Sequence, residues 1–218
     1  MQIRALLLAA ALTMTGPAQP IIFGASQAQR QTIENVLAEL PPIAAHDLIV
    51  HISDEMALQH CYSHRACARG YIVLLADNFK KPDLYHEFAH VHHFRLAVSQ
   101  DPELHNAGRD WLSRSPTEEL NLAYKFIWAT DRCAFSQLWL DSANDETVHA
   151  ARLKLLLDHA FITKAQYDKI MELARELVDK PITYKEQLNI REEIAYFVEK
   201  AYTEPEIIAQ LIRAEKRF

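Results

Sequence analysis

The sequence HEFAH at residues 86–90 places two histidines and a glutamate at the spacing of a water-activating zinc site. Residues four apart on an α-helix have Cβ atoms about 5–6 Å apart, so both imidazoles can bind one tetrahedral ion. Glu87 projects about 100° round the helix from His86, where it can take a proton from metal-activated water without binding the metal. We therefore predict that His86 and His90 bind Zn²⁺ and that Glu87 is a catalytic general base.

The residues around this motif favour a buried helix that follows a strand. Pro82 suits the first turn of a helix, and an apolar stripe lies beside the histidines at Leu84, Phe88, Val91 and Ala97. The run from Tyr71 to Leu75 predicts a strand that lines the cleft, with an edge to which an extended substrate could pair. The bland alternative is a surface helix with solvated histidines. We do not expect His92 or His93 to be ligands.

A catalytic zinc site needs a third protein ligand and one position for water. The sequence after His90 lacks the glycine and the last histidine of HExxHxxGxxH, which excludes the metzincin arrangement and indicates a downstream glutamate. Two acidic pairs at predicted helix starts compete for this role, Glu118 with Glu119 and Glu192 with Glu193. Glu118 and Glu192 each have a structural alternative as members of a capping box. On a helical wheel Glu193 lies nearer than Glu192 to the apolar face, so the residues alone leave the choice open.

HEFAH followed by a later Glu-x-x-Ala helix resembles the gluzincin metallopeptidases, in particular small bacterial zinc peptidases akin to the catalytic domain of anthrax lethal factor. The resemblance covers residues 47–97 and 184–205. It implies that Glu192 is the third zinc ligand, with Ala195 at the small position three residues on. Tyr184 would correspond to the tyrosine that steadies the oxyanion, although it lies one residue further from Glu192 than is usual in that family. The implied activity is hydrolysis of peptide bonds by a zinc metalloendopeptidase.

The first residues of the chain are typical of an export signal. A charged start at Arg4 precedes the apolar run at residues 5–12, and residues 16–18 offer small side chains for cleavage, with residues 26–28 as a second possible point. We expect a signal peptide at 1–18 and a secreted or periplasmic product. The alternative is a buried N-terminal helix. Loss of Arg4 moves the formal net charge from −6 to −7, which argues against binding to nucleic acid or to an anionic membrane through bulk charge.

Three cysteines occur in the chain. Cys61 and Cys67 have five residues between them and could close a small loop in an oxidising compartment. The alternative is that they bind a metal together with His60 or His64. Cys133 is left unpaired, and we expect it to be buried.

The 218 residues predict one zincin-like α+β domain over residues 19–218, mostly helical with a small N-terminal sheet beside the HExxH helix. Only four glycines favour long helices over hairpins. A first helix should end before Pro41, and a strand should follow at residues 47–52. Residues 100–180 would form a helical insertion, and the remaining predicted helix starts are at Ser115, Thr163, Asn189 and Pro205. The tryptophans at helical spacing are expected in the core, at Trp111, Trp128 and Trp139.

Two other functional classes compete with the peptidase. Glu87 with His90 and Glu146 with His149 are both Glu-x-x-His pairs, and two such pairs build di-iron sites in helical bundles. Such a bundle has no place for the predicted strands and leaves His86 without a role. The second competitor is a zinc-holding scaffold that cleaves nothing. The sequence itself does not specify a substrate, a partner beyond a peptide or protein substrate, or an oligomeric state.

Overall fold

The computed structural model describes residues 19–61, 65–99, 134–145, 147–177 and 189–215. In chain order these residues form strand β1 (Ile21–Phe23), helix α1 (Gln27–Glu39), a 3₁₀ turn (Pro42–Ala45), strand β2 (Ile49–Ile52), helix α2 (Asp54–His60), strand β3 (Ala66–Arg69), strand β4 (Ile72–Leu75), helix α3 (Lys81–Ser99), helix α4 (Ala134–Asp141), a 3₁₀ turn (Ser142–Asn144), helix α5 (Val148–Asp158), helix α6 (Lys164–Glu176), helix α7 (Ile190–Thr203) and helix α8 (Pro205–Glu215). The predicted α+β class, mostly helical with a small N-terminal sheet, is confirmed.

The sheet has four strands in the order β1, β2, β4, β3. Strands β1, β2 and β4 run parallel, and β3 pairs antiparallel with β4 through the two residues Gly70 and Tyr71. Gly70 has φ +60°, a conformation that glycine adopts without a steric penalty. The predicted strand at 71–75 is therefore present, but the expectation that its edge is open to substrate is wrong. Strand β4 is internal because β2 and β3 occupy both of its sides, and the edges of the sheet are β1 and β3.

Several helices begin at a residue whose side chain caps the first turn. Ser26 begins α1 with a reciprocal capping box to Gln29, and α1 ends at Glu39 before the two prolines. Thr163 accepts a hydrogen bond from the Gln166 N–H at the start of α6. Asn189 Oδ1 accepts from the Glu192 N–H at 3.1 Å, which starts α7. These caps confirm the predicted helix starts at Thr163 and Asn189, whereas the predicted start at Ser115 lies outside the described residues.

Helix α3 lies between two cores. One core joins α3 to the sheet and α1, with Val50, Val73 and Leu84 fully buried. The other packs the opposite side of α3 on the C-terminal helices, and it includes Trp139 and Phe197. Because both sides of α3 are buried, the motif helix is a central element of the fold and the surface-helix alternative is wrong. Trp139 is a core residue as predicted, and Trp111 and Trp128 lie outside the described residues.

Residues 134–176 lie within the predicted insertion, and their described part is helical. Buried side chains of α4, α5 and α6 belong to the same core as α7 and α8. Strand β1 precedes α1 and pairs with β2, so a signal cleavage after Ala28 would remove a strand from the sheet. Within the described ranges, no helix combines the length and the apolar character that crossing a bilayer requires.

Cys61 and Cys67 form a disulfide that joins the end of α2 to strand β3. The bond confirms the predicted pairing and removes both thiolates from any metal site with His60 or His64. Cys133 lies outside the described residues. The bond therefore fixes strand β3 covalently to the end of α2.

Candidate metal centre

His86 and His90 lie one turn apart on α3, and their rings meet edge to face. Their Nε2 atoms are 3.1 Å apart. Leu84, Phe88 and Val91 are buried on the sheet side of the helix, which fixes how the helix is rotated about its axis. That rotation turns both imidazoles toward α7.

Helix α7 brings Glu192 to this pair in its first turn. The Glu192 Oε2 atom lies 3.2 Å from His86 Nε2, and Oε1 lies 3.5 Å from His90 Nε2. Atoms that bind one tetrahedral zinc at about 2.0–2.1 Å lie roughly 3.3 Å from one another. His86, His90 and Glu192 therefore form a group that could hold a metal ion, with distances that suit a tetrahedral site.

Glu193, the neighbouring alternative, has a different role. Its Oε1 pairs with Arg152 Nη1 on α5, and the two side chains are only 13% and 11% exposed. The side chain of Glu192 is 41% exposed. The helical wheel thus placed Glu193 nearer the core correctly, but the burial serves an ion pair between helices. Glu118 and Glu119 lie outside the described residues.

A second carboxylate, Glu199, lies behind His86. Its Oε2 is 3.2 Å from His86 Nδ1, while its Oε1 is 3.1 Å from Lys200 Nζ. A hydrogen bond from Nδ1–H leaves the lone pair on Nε2, the nitrogen that faces Glu192 and His90. The sequence did not predict a role for Glu199. The available signal was its spacing, since Glu199 follows Glu192 by seven residues, or two helical turns, and so lies on the same face.

His86 interacts electrostatically with the carboxylates of Glu192 and Glu199. Burial alone would lower the pKa of His86, but hydrogen bonds to Glu192 and Glu199 outweigh it and raise the pKa to about 10. Hydrogen bonds to His86 and His90 lower the pKa of Glu192 well below its usual range. In the metal-free centre, one proton on His86 therefore compensates the nearby negative charge, and a divalent cation would replace that proton.

Glu87 is buried beside the ligands, with 7% of its surface exposed. Burial raises its pKa, whereas the charges of His90 and His86 oppose that rise. Glu87 is not a member of the group that could bind metal. This separation agrees with the different roles predicted for Glu87 and the histidines.

His92 and His93 are both buried, and their Nε2 atoms have partners elsewhere. His92 Nε2 is 2.8 Å from the carbonyl oxygen of His159, and His93 Nε2 is 2.9 Å from Ser136 Oγ. Burial lowers the pKa of His93 to about 3, so this ring is neutral at physiological pH. The expectation that neither histidine is a ligand agrees with this geometry, since neither joins the metal-binding group.

The remaining predicted site residues are Tyr184, Glu146 and His149. Tyr184 and Glu146 lie outside the described residues. His149 has its Nε2 3.6 Å from Glu215 Oε1 and packs on Phe197, and it is not part of the metal-binding group. The described residues therefore bring together one group of ligands around His86 and His90, and they do not form the two-pair arrangement of a di-iron site.

No protein-family model matches the chain, and the comparisons with curated proteins and with solved structures also find no match. The function of the centre is therefore inferred from its geometry.

Proposed function

We propose that the protein is a zinc-dependent peptidase that hydrolyses peptide bonds at the His86, His90 and Glu192 centre. The observation that carries the proposal is the convergence of these three side chains at tetrahedral spacing, next to the buried carboxyl group of Glu87. Two nitrogens and one carboxylate are a donor set that suits a catalytic zinc site, because they leave one coordination position open for water. The donor set itself, with no thiolate, also suits other divalent cations.

Each residue of the centre would have a separate role in peptide hydrolysis. When bound, the ion would act as a Lewis acid that lowers the pKa of water to about 7 and polarises the scissile carbonyl. Glu87 would accept the proton of the attacking water and deliver it to the departing amine. Glu199 would hold His86 in the tautomer that presents Nε2 to the ion. Tyr184 stays a proposed oxyanion residue from the family resemblance alone.

Strand β3 supplies a place for an extended substrate. Among the described strands, none pairs with the outer edge of β3. Helix α3, which carries His86, Glu87 and His90, packs on β3, so a segment paired with this strand would run past the centre. Main-chain pairing gives affinity with little demand on side-chain sequence, which suits a peptide or protein substrate.

We also propose that the protein acts after export, in the periplasm or outside the cell. The Cys61–Cys67 disulfide supports an oxidising compartment. The residues of the expected signal peptide, 1–18, lie outside the described part of the chain.

The test combines metal analysis with digestion of unfolded casein and a broad peptide library, with and without a chelator. The proposal predicts one zinc per chain, chelator-sensitive cleavage that zinc restores, and a Glu87→Gln variant that keeps its metal but loses at least about a hundredfold in turnover. Equal cleavage by Glu87→Gln contradicts the role of Glu87. Zinc binding without any cleavage supports a metal-holding scaffold, and two irons per chain support the di-iron alternative.

A further inference from the structure

Helices α3 and α7 meet in a row of three side-chain pairs, which run forward along α3 and backward along α7. The pairs are Tyr85 with Tyr202, His86 with Glu199, and His90 with Glu192. The two tyrosine rings are stacked, with centroids 4.8 Å apart and planes inclined by 9°. The tyrosine pair thus adjoins the metal centre, one residue before His86 on α3 and three residues after Glu199 on α7.

Apolar packing fixes only weakly how far α7 is advanced along α3. Ala89 of α3 and Ala195 and Ala201 of α7 are buried in the core that the two helices share, whereas Phe197 of α7 packs on aromatic rings of α4 and α5. Apolar contact is non-directional, and a methyl group forms only a low ridge on a helix surface. A shift of α7 by one turn, about 5.4 Å, would keep much of this burial but move both glutamates away from the histidine rings.

Tyr85 has a fixed orientation. Its side chain is buried, and its hydroxyl donates a hydrogen bond to Glu39 Oε2 at the end of α1. Lys81 Nζ lies 2.8 Å from Glu39 Oε1 and 5.6 Å from the centroid of the Tyr85 ring. A buried ring that is also held at its hydroxyl presents one face in one direction. That face is the surface on which Tyr202 stacks.

Tyr202 contacts both cores of the protein. Its side chain packs against the core between α3 and the sheet, and against the core of the C-terminal helices. Aromatic pairs interact at centroid distances of about 4.5–7 Å, so a shift of one helical turn would break the stack. The contact between Tyr85 and Tyr202 therefore depends on the register of the two helices, as packing between alanines does not.

We propose that the stacked Tyr85 and Tyr202 rings set the register of α7 on α3 and thereby place Glu192 and Glu199 at the His86 ring. The two tyrosines are positioning residues, since they would act through the carboxylates and not on the ion. Their importance for catalysis rests on the proposed function, but the placement of His86 can be measured in the zinc-free chain.

The first experiment observes the His86 ring in the zinc-free full chain labelled with ¹⁵N-histidine, at constant pH. Tyr202→Leu removes the flat ring but keeps an apolar side chain. It should shift the His86 ring nitrogen signals in the same direction as Glu199→Gln, because both variants loosen the contact with the carboxylate. The signals of His92 and His93, whose partners lie on other elements, should stay unchanged. Unchanged His86 signals in Tyr202→Leu overturn the inference, whether or not the protein binds zinc.

The second experiment compares zinc affinities by competition with a chromophoric chelator. Tyr202→Leu should bind zinc about tenfold more weakly, whereas Tyr202→Phe keeps the stacked ring and should bind like the parent protein. Phe94→Leu is the matched control, because Phe94 lies on the same helix and its ring meets Tyr71 at 5.3 Å in the core between α3 and the sheet. It should lower the unfolding free energy without changing zinc affinity. Equal affinities of Tyr202→Leu and Phe94→Leu overturn the inference.

A milder variant and a double variant distinguish register from a general loss of folding. Tyr85→Phe keeps both rings and removes only the hydrogen bond to Glu39, so it should fold and lose about two- to fivefold in zinc affinity. In the double variant of Tyr202→Leu with Glu199→Gln, the loss of affinity should be smaller than the product of the two single losses, since both changes remove the same contact.

Single losses that simply multiply overturn the inference. A parent protein that binds no zinc, but whose His86 signals shift in Tyr202→Leu, supports the register and refutes the proposed function alone.

Discussion

His86 Nδ1 and Glu199 Oε2 lie 3.2 Å apart, on the side of the imidazole that faces away from the metal-binding group. A carboxylate that accepts from the non-ligating nitrogen fixes the ring tautomer and orientation and makes the other nitrogen a better metal ligand. Burial would raise the pKa of Glu199, but His86 and Lys200 lower it below its usual value. Glu199 is thus ionised and ready to support His86.

Glu199→Gln should weaken zinc binding by about ten- to hundredfold, because the amide no longer holds Nδ1–H with a full charge. Glu204→Gln is the matched control, since Glu204 also pairs with Lys200, at 2.6 Å, and the structure gives it no contact with His86. Competition with a chromophoric chelator measures both affinities. An equal loss of zinc affinity in both variants would show that Glu199 acts only through Lys200.

Substitutions of the two adjacent glutamates on α7, Glu192 and Glu193, should have different effects. Glu192→Gln should lose metal affinity with a small change in stability, because Glu192 is half exposed and contributes a ligand atom. Glu193→Gln should keep its metal but lose about 1–3 kcal/mol of unfolding free energy, since Arg152 would remain buried beside a neutral group. Urea unfolding and metal titration of both variants check the pair. A loss of metal in Glu193→Gln alone would contradict the assignment of Glu192.

Zinc affinity should increase with pH between about 6 and 8. Hydrogen bonds to Glu192 and Glu199 raise the pKa of His86 to about 10 in the metal-free protein, so over this range the metal must displace a proton. The apparent affinity should therefore rise by up to about tenfold per pH unit from this group alone. Chelator competition at several pH values measures the slope. In Glu199→Gln the slope should be shallower, and an affinity that is independent of pH in the parent protein would contradict the prediction.

Reduction of the Cys61–Cys67 disulfide should lower the unfolding free energy by about 2 kcal/mol, as expected for a loop of this length. A double Cys61→Ser, Cys67→Ser variant should show the same loss. Thiol titration in denaturant should find one reactive cysteine before reduction and three afterwards, because the chain contains three in all. Three reactive thiols in the unreduced protein would contradict the pairing.

Local sequence patterns predicted much of the fold. The caps Thr163 and Asn189 place their helices because a side-chain oxygen a few residues away satisfies an N–H that the helix leaves unpaired. The spacing of His86 and His90 likewise follows from the helical repeat. Strand β3 was not predicted, since its sequence ACAR lacks β-branched residues and its strand conformation comes from pairing with β4. That unpredicted pairing is also the reason why β4 is internal.

The sequence by itself determined that two imidazoles share one helix face with a glutamate beside them, because the period of an α-helix fixes positions four residues apart. Only the tertiary structure decided which distant carboxylate completes the group. Glu192 and Glu193 are equal in chemistry and adjacent in sequence, and the packing of α7 against α3 and α5 turns Glu192 to the histidines and Glu193 to Arg152. The same packing brought Glu199 behind His86. Contacts between residues far apart in sequence depend on how whole elements pack, and no local pattern encodes that.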